Sequence, residues 1–190
     1  MPQADRPGGR RGGARDLNFP ARPGGEVALD LSRTTGWAYG HPYDNLPSFG
    51  RILVDHLRTE AERFVAFEDA LVELFNELQP AGVVIEAPLG IERWHTTMTT
   101  MMQQLGLRAF VVAEAYRRSA TLSEVSASLV RHDLLGQSQF AKNTVKDRVV
   151  DFCRDRGWRV IDHNEGDACL TWAWHVGRLR GHRRMPLFAA

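Results

Sequence analysis

Two short apolar runs in this chain each end in one acidic residue, and this pattern constrains the fold more than any other. The run EVALDL at residues 26–31 contains Asp30, and the run GVVIEA at residues 82–87 contains Glu86. Short apolar runs bounded by turn residues are typical of buried strands. A lone carboxylate at the end of such a strand is costly to desolvate. The pattern therefore predicts buried strands with functional carboxylates at their ends.

The periodicity of the remaining chain predicts a mixed α/β domain. The predicted strands are 26–31, 35–40, 48–55, 82–87 and one within 121–131, and the predicted helices are about 58–78, 97–118, 139–156 and 166–180. The first three strands are expected to form an antiparallel meander. The order βββαβαβαα then predicts a mixed five-stranded sheet with helices on both faces.

One stripe of the second helix is rich in methionine. Its members at helical spacing are Met98, Met101, Met102, Leu105 and Ala109. Flexible methionine side chains fill irregular gaps in cores and also line promiscuous binding surfaces. We interpret this stripe as core.

Length and composition predict one domain between two tails. The 190 residues carry a formal net charge of +1 and suffice for one domain with a real core. Residues 1–24 are predicted to be a disordered Arg/Gly-rich tail, 25–182 the folded domain, and 183–190 a C-terminal tail. No apolar run could cross a bilayer and no signal-peptide core is present, which predicts a cytoplasmic protein without a membrane partner. Cys153 and Cys169 are expected to be core thiols without a disulfide.

A third acidic residue, Asp167, lies in the segment DHNEGDACLTWAW, where a helix is predicted. In the predicted order of elements, the first and fourth strands end side by side. A helix packed on that edge could then bring Asp167 to Asp30 and Glu86. Mg²⁺ prefers oxygen ligands and keeps several waters, so carboxylates plus substrate phosphate oxygens suit it. The three acids therefore indicate metal-dependent phosphoryl transfer.

Local roles compete with this interpretation. Asp30 could close a turn with Ser32, because DLSRTTG is rich in turn residues. Asn164 could be the N-cap of the last helix, with Asp167 favouring its positive end. Glu86 has no obvious local partner. His163 could shuttle a proton or be purely structural.

The segments ALDLSRTTGWAYG, VVIEAPLG and HNEGDACLTWA resemble the three acidic motifs of the RuvC-type Holliday junction resolvases, which have an RNase H-like fold. The likeness extends over about residues 26–178. It implies hydrolysis of phosphodiesters in branched DNA with two Mg²⁺ ions per site, Mn²⁺ being a substitute, and no small-molecule substrate. It also implies a homodimer, because a four-way junction is symmetric and needs two matched cuts.

The resemblance assigns roles to individual residues. It makes Asp30, Glu86 and Asp167 metal-binding catalytic carboxylates and places Lys142 near the scissile phosphate. LVRHDLLG and QFAKNTVKDRV resemble the family segment that carries DNA-contacting bases. The expected DNA-binding residues are Arg33, Leu89, Arg93, Trp94, Arg131, Lys142 and Lys146.

Two positions depart from the family pattern. Where the bacterial resolvases usually have a fourth acid, this chain has Asn164, a neutral metal ligand. Glu165 compensates only if the helix starts late, because residues 165 and 167 lie about 200° apart on a regular helix. The aromatic residue that usually follows the second acid is Leu89 here. Trp94 could replace it by stacking on an unpaired base, or could cover the core.

Three other functions remain open. A nuclease on the same fold could cut structured RNA. A junction-binding protein could have lost catalysis through Asn164. DLSRTTGWA also resembles the phosphate loop of the sugar-kinase and actin-like ATPases, but those proteins need two such domains, and Glu86 would have no role in them.

Overall fold

The computed structural model describes residues 22–87, 98–137 and 144–184, with side chains as far as residue 181. No helix in these ranges is both long enough and apolar enough to cross a membrane. In chain order the elements are β1 (Glu26–Asp30), β2 (Thr34–Gly40), β3 (Ser48–Leu53), α1 (Glu60–Leu78), β4 (Gly82–Glu86), α2 (Met98–Arg117), β5 (Thr121–Val125), α3 (Ala127–Leu135), α4 (Thr144–Asp155) and α5 (His163–Arg184).

The five strands form one sheet in the order β3-β2-β1-β4-β5. β1 pairs antiparallel with β2, and β2 with β3, whereas β4 pairs parallel with both β1 and β5. The parallel strands are reached through α1 and α2, because a parallel connection needs a long crossover. The predicted meander and mixed sheet are confirmed, and β1 and β4 are neighbours.

Alternation along the strands divides the core between the two faces of the sheet. Val27 and Leu29 pack in a cluster with residues of α1 and α2. Ala28 packs in a second cluster with residues of α3, α4 and α5. Successive strand residues point to opposite faces, so the predicted cover of helices on both faces is confirmed. Cys153 and Cys169 are free and buried in the second cluster, as predicted.

The helix α3 is absent from the sequence prediction, which has only a strand within residues 121–131. β5 ends at Val125, and Ser126 then caps α3 by accepting the N–H of Leu129. Gly136 ends α3 in the left-handed region at φ 79°, which glycine adopts without strain. The helix α5 also begins earlier than predicted, at His163.

The interpretation of the methionine stripe as core is wrong. Met98, Met102 and Leu105 are 62%, 56% and 42% exposed. α2 instead turns its other side inwards, and Gly106 lies against the ring of Phe64 in α1. A Cβ at residue 106 would lie 2.5 Å from Cζ of that ring. The buried residues of α2 are Gln103, Leu107, Val111, Glu114 and Ala115 on that other side, and Met101 is partly buried.

Candidate active site

Asp30 and Glu86 end two neighbouring parallel strands. β1 and β4 pair in register up to Leu29 opposite Ile85, so the next residue of each strand, Asp30 and Glu86, lie side by side. In each strand, the residue two positions before the carboxylate packs in the hydrophobic cluster that contains residues of α5. Alternation therefore directs both carboxylates to the face that α5 covers. The predicted approach of the two strand ends is confirmed.

The first turns of α5 lie across the sheet next to these strand ends. Gly36 of β2 pairs with Asp30, and a Cβ on Gly36 would lie 2.0 Å from the backbone oxygen of Asn164. α5 reaches this position only because residue 36 has no side chain. Asp167 lies about one helical turn beyond Asn164 and is thereby carried to Asp30 and Glu86.

The three carboxylates interact electrostatically. Desolvation raises the pKa of Asp30 well above its ordinary value, and the negative charges of Asp167 and Glu86 raise it further. Desolvation also raises the pKa of Glu86, to which Asp167 adds, and it raises the pKa of Asp167. Desolvated carboxylates with like charges nearby mark a place suited to a cation. The structure thus brings the three predicted acids together.

Arg131 of α3 lies within this acidic cluster. Its Nη2 is 3.6 Å from Oδ1 of Asp167. Its positive charge lowers the pKa of Asp30, Glu86 and Asp167 against the effect of desolvation. Its Nε–H is buried and has no hydrogen-bond partner among residues 22–87, 98–137 and 144–184. Arg131, expected at the DNA surface, is therefore also the internal counter-ion of the acids.

The N-cap of α5 is Asp162, so the interpretation of Asn164 as the cap is wrong. Oδ1 of Asp162 accepts the N–H groups of Asn164 and Glu165 at 3.0 and 3.1 Å. This arrangement satisfies two of the free N–H groups at the start of the helix. In the part of the chain that the structure describes, the side-chain amide of Asn164 makes no hydrogen bond.

Glu165 does not replace the missing fourth acid. The helix starts early instead of late, and the Glu165 side chain is only 4% exposed. Its carboxylate accepts the backbone N–H of Ile161 at 2.7 Å and lies 3.4 Å from Nε of Arg51. It is therefore directed to β3 and away from the three acids.

The turn after β1 closes without Asp30. The Thr35 hydroxyl donates to the backbone oxygen of Ser32, and the Ser32 hydroxyl donates to that of Thr34. The alternative in which Asp30 closes this turn with Ser32 is therefore wrong. His163 opens α5, and its positive charge lowers the pKa of Asp167.

Two of the expected DNA-binding residues, Arg33 and Lys146, face solvent. Arg33 follows β1, and its Nε donates to Oε1 of the buried Gln103 in α2 at 3.0 Å. Lys146 of α4 is exposed, and its charge lowers the pKa of Asp167. The other expected contacts lie outside the described residues: Leu89, Arg93, Trp94 and Lys142.

The donor chemistry suits Mg²⁺, although the side chains do not form a ready site. Within the described ranges, no group of three or more His, Cys, Asp and Glu residues is arranged to hold a metal ion. Three carboxylates and the amide oxygen of Asn164 are nevertheless the oxygen donors that Mg²⁺ prefers. Binding an ion there requires these side chains to draw together and Arg131 to yield part of its contact with Asp167.

Solved structures share this architecture, whereas no protein-family model and no curated protein sequence matches the chain. Thermus thermophilus RuvC is similar with 14% identity and a TM-score of 0.62, over 83% of this chain and 96% of that one. T. thermophilus RuvC in complex with a Holliday junction substrate is similar with 12% identity and a TM-score of 0.63, again over 83% of this chain and 96% of that one. The protein has a RuvC-type, RNase H-like fold. The yeast mitochondrial Holliday junction resolvase Ydc2 is similar with 10% identity and a TM-score of 0.51, over 87% of this chain and 88% of that one.

Three residues of this site escape the sequence prediction. Gly36 had a visible signal, since a glycine inside a strand often marks a close backbone approach. Arg51 and Asp162 had none, because they lie 111 residues apart and meet only in the folded chain. Arg131 is positioned by α3. The cap Ser126 and the terminating Gly136 of this helix are start and stop signals that the sequence shows.

Proposed function

We propose that the protein is a metal-dependent, structure-selective endonuclease that hydrolyses phosphodiesters at branched DNA, in particular at Holliday junctions. The observation that carries this proposal is the meeting of Asp30, Glu86 and Asp167 at one edge of a sheet with the RuvC-type fold. A Holliday junction is the substrate bound by a protein of similar structure. Partly buried acids of this kind suit divalent cations that also bind phosphate oxygens.

In this proposal Asp30, Glu86 and Asp167 hold Mg²⁺, or Mn²⁺ in its place, and Asn164 adds a neutral oxygen ligand. Bound ions, two per site, would supply Lewis acidity and a more acidic attacking water. A neutral amide attracts a cation less than a carboxylate, so the second ion is held more weakly. Arg131 balances the negative charge near Asp167, and Lys142 binds the scissile phosphate.

Basic and apolar residues around the acids would hold the DNA. Arg33, Arg131 and Lys146 contact phosphates, as does Arg93, and such contacts make binding weaker at high salt. Leu89 takes the place of an aromatic wedge, and Trp94 stacks on an unpaired base at the branch. The hydrogen bond from Arg33 to Gln103 fixes one of these bases against α2.

A cleavage panel tests the proposed activity. We expect the protein with Mg²⁺ or Mn²⁺ to cut labelled four-way junctions at symmetric positions, leaving 5′-phosphates, and to leave linear duplex intact. Forks and flaps in the same panel rank the branched substrates. A chelator should stop cleavage, because the acids need a cation to bind phosphate oxygens.

Two outcomes of this panel would replace the proposal. Preferential cutting of matched RNA junctions would assign the protein to structured RNA. Tight junction binding without cutting in either metal would make it a non-catalytic junction-binding protein, an alternative that the neutral Asn164 favours.

The proposed enzyme acts as a homodimer, and α2 offers the surface for a second copy. The α2 stripe consists of Met98, Met102, Leu105, Ala109, Val112 and Tyr116. Tyr116 is 85% exposed, and the other members are exposed except for the partly buried Val112. Their alternating spacing of four and three residues is that of a seam between two helices. Residues 98–107 carry no charge, which is unusual for a helix that faces water. A second copy fits because a two-fold dimer presents two sites to a symmetric junction.

Charges in the α2 stripe should separate the dimer. The double variant Met102→Glu, Leu105→Glu is expected to raise the dimer dissociation constant by more than about 100-fold, because burying unpaired carboxylates costs several kcal/mol. Light scattering after gel filtration measures the mass. The matched control is Val65→Glu on α1, since Val65 is 60% exposed and lies outside the stripe. A monomeric native protein, or a double variant that stays dimeric, would contradict this interface.

A further inference from the structure

Asp30, Gly36 and Arg51 form one row across three adjacent strands. Asp30 pairs with Gly36 in β2, and Gly36 pairs with Arg51 in β3. Residues directly opposite each other on antiparallel strands point to the same face of the sheet. Arg51 therefore lies on the face that carries α5, with Gly36 between it and Asp30.

Arg51 binds the start of α5 at two places. Its Nη1 is 2.7 Å from Oδ2 of Asp162, and its Nε is 3.4 Å from Oε1 of Glu165. The same two carboxylates also accept backbone N–H groups of residues 161, 164 and 165. The first turn of α5 is thus tied both to itself and to β3.

The row has a mechanical consequence for the acids. Over Gly36 the helix rests on bare strand backbone, where no side chain interlocks with it. On the far side of Gly36, this end of the helix is held to β3 by the contacts of Arg51 with Asp162 and Glu165. Loss of these contacts would remove that link between β3 and the first turn of α5, which carries Asn164.

We infer that Arg51, Asp162 and Glu165 form a clamp, named the α5 clamp here, which positions Asp167 and Asn164 over Asp30 for metal binding. The three are positioning residues, because Arg51 binds Asp162 and Glu165 at the start of α5 and reaches Asp167 through that helix. The inference rests on the proposed function and names the residues that prepare its metal site. It also gives the buried Glu165 a role, since its carboxylate faces Arg51 and not the acids.

The double variant Arg51→Met, Glu165→Gln tests the α5 clamp. Both changes are needed because Arg51→Met alone would leave the Glu165 charge buried without its partner, which destabilises strongly. We expect Mn²⁺ affinity of the DNA-free protein, measured by calorimetry, to fall about 10–100-fold, the usual effect of removing residues that orient metal ligands. Junction binding in chelator should stay native, and raised Mn²⁺ should restore part of the cleavage rate.

The matched control is the double variant Arg118→Met, Glu114→Gln. Glu114 is 6% exposed and lies 2.6 Å from Nε of Arg118, so its burial resembles that of Glu165, although Arg117 is a second partner at 3.2 Å. The pair lies near the C-terminal end of α2, remote from the acids. This control should bind Mn²⁺ with native affinity, which separates loss of positioning from loss of a buried ion pair.

A second variant, Asp162→Ser, keeps the helix cap but removes the ion pair with Arg51. It should weaken Mn²⁺ binding in the same direction and by a smaller factor. Native Mn²⁺ affinity in both variants, in a protein that otherwise binds Mn²⁺ through Asp30 and cuts junctions, would overturn the clamp alone. Absence of both Mn²⁺ binding and cleavage in the native protein would overturn the proposed function itself.

Discussion

Asp30→Asn is expected to abolish cleavage and, at the same time, to stabilise the metal-free protein. Removal of residues that only orient metal ligands already costs about 10–100-fold, so loss of a direct ligand should cost more than about 100-fold. Asparagine also removes a charge that is desolvated and repelled by Asp167 and Glu86. The gain in stability follows first from removing a desolvated charge and then from removing this repulsion.

The pH dependence of this effect has a definite sign. The pKa of Asp30 is raised in the folded state, so the native protein binds the Asp30 proton more tightly than the unfolded chain does. Its stability therefore decreases as pH rises from the unfolded pKa to the raised folded pKa. The Tm advantage of Asp30→Asn should be present near neutral pH and vanish in acid, where Asp30 is protonated.

Thermal melts from acid to neutral pH, together with junction cleavage assays, measure both effects. Mg²⁺ or Mn²⁺ should raise the Tm of the native protein by mass action and that of Asp30→Asn much less. The control Asp69→Asn changes an exposed carboxylate on α1 and should leave Tm and cleavage unchanged. Retained cleavage in Asp30→Asn would remove Asp30 from the site, and a lowered Tm at neutral pH would contradict its electrostatics.

Gly36→Ala should destabilise the fold and disable the site together. The added Cβ would lie 2.0 Å from the oxygen and 2.4 Å from the carbon of the Asn164 carbonyl. Backbone atoms cannot rotate away, so α5 has to shift, and overpacking of this kind costs about 1–3 kcal/mol or more. For a domain of this size each kcal/mol corresponds to about 2–4 °C in Tm. Cleavage should fall by more than the loss of folded protein explains, because the shift moves Asp167 from Asp30.

The matched control is Gly177→Ala, farther along the same helix. A Cβ there meets nothing within 4 Å, so the change should be neutral or should stabilise by up to about 1 kcal/mol through helix propensity. Melting temperatures, Mn²⁺ affinity and cleavage of both variants are compared with those of the native protein. A native Tm in Gly36→Ala would contradict the contact of α5 with β2.

Much of the site could be predicted from local patterns in the sequence. The runs around Asp30 and Glu86 predict strands, and the order of elements predicts that those strands end side by side, because parallel neighbours share one edge. Alternation then predicts that both carboxylates point to the same face. The predicted position of Asp167 depended on the last helix covering that face.

The packing of α2 and the place of Arg131 were harder to predict. A stripe of methionines has the same period whether it faces the core or water, so periodicity could not choose between the two sides of α2. Leu107, Val111 and Ala115 of α2 pack in the cluster with α1, a contact between distant parts of the chain. Arg131 looked like a surface base because α3 was not predicted.

The sequence by itself determined the mixed sheet and the neighbouring strand ends that carry Asp30 and Glu86, because these follow from periodicity and chain order. Only the tertiary structure decided that Arg131 neutralises the acids, that Glu165 faces Arg51, and that α2 exposes its apolar stripe. Each of these depends on a contact between residues distant along the chain, and no local pattern records which distant partner a side chain meets.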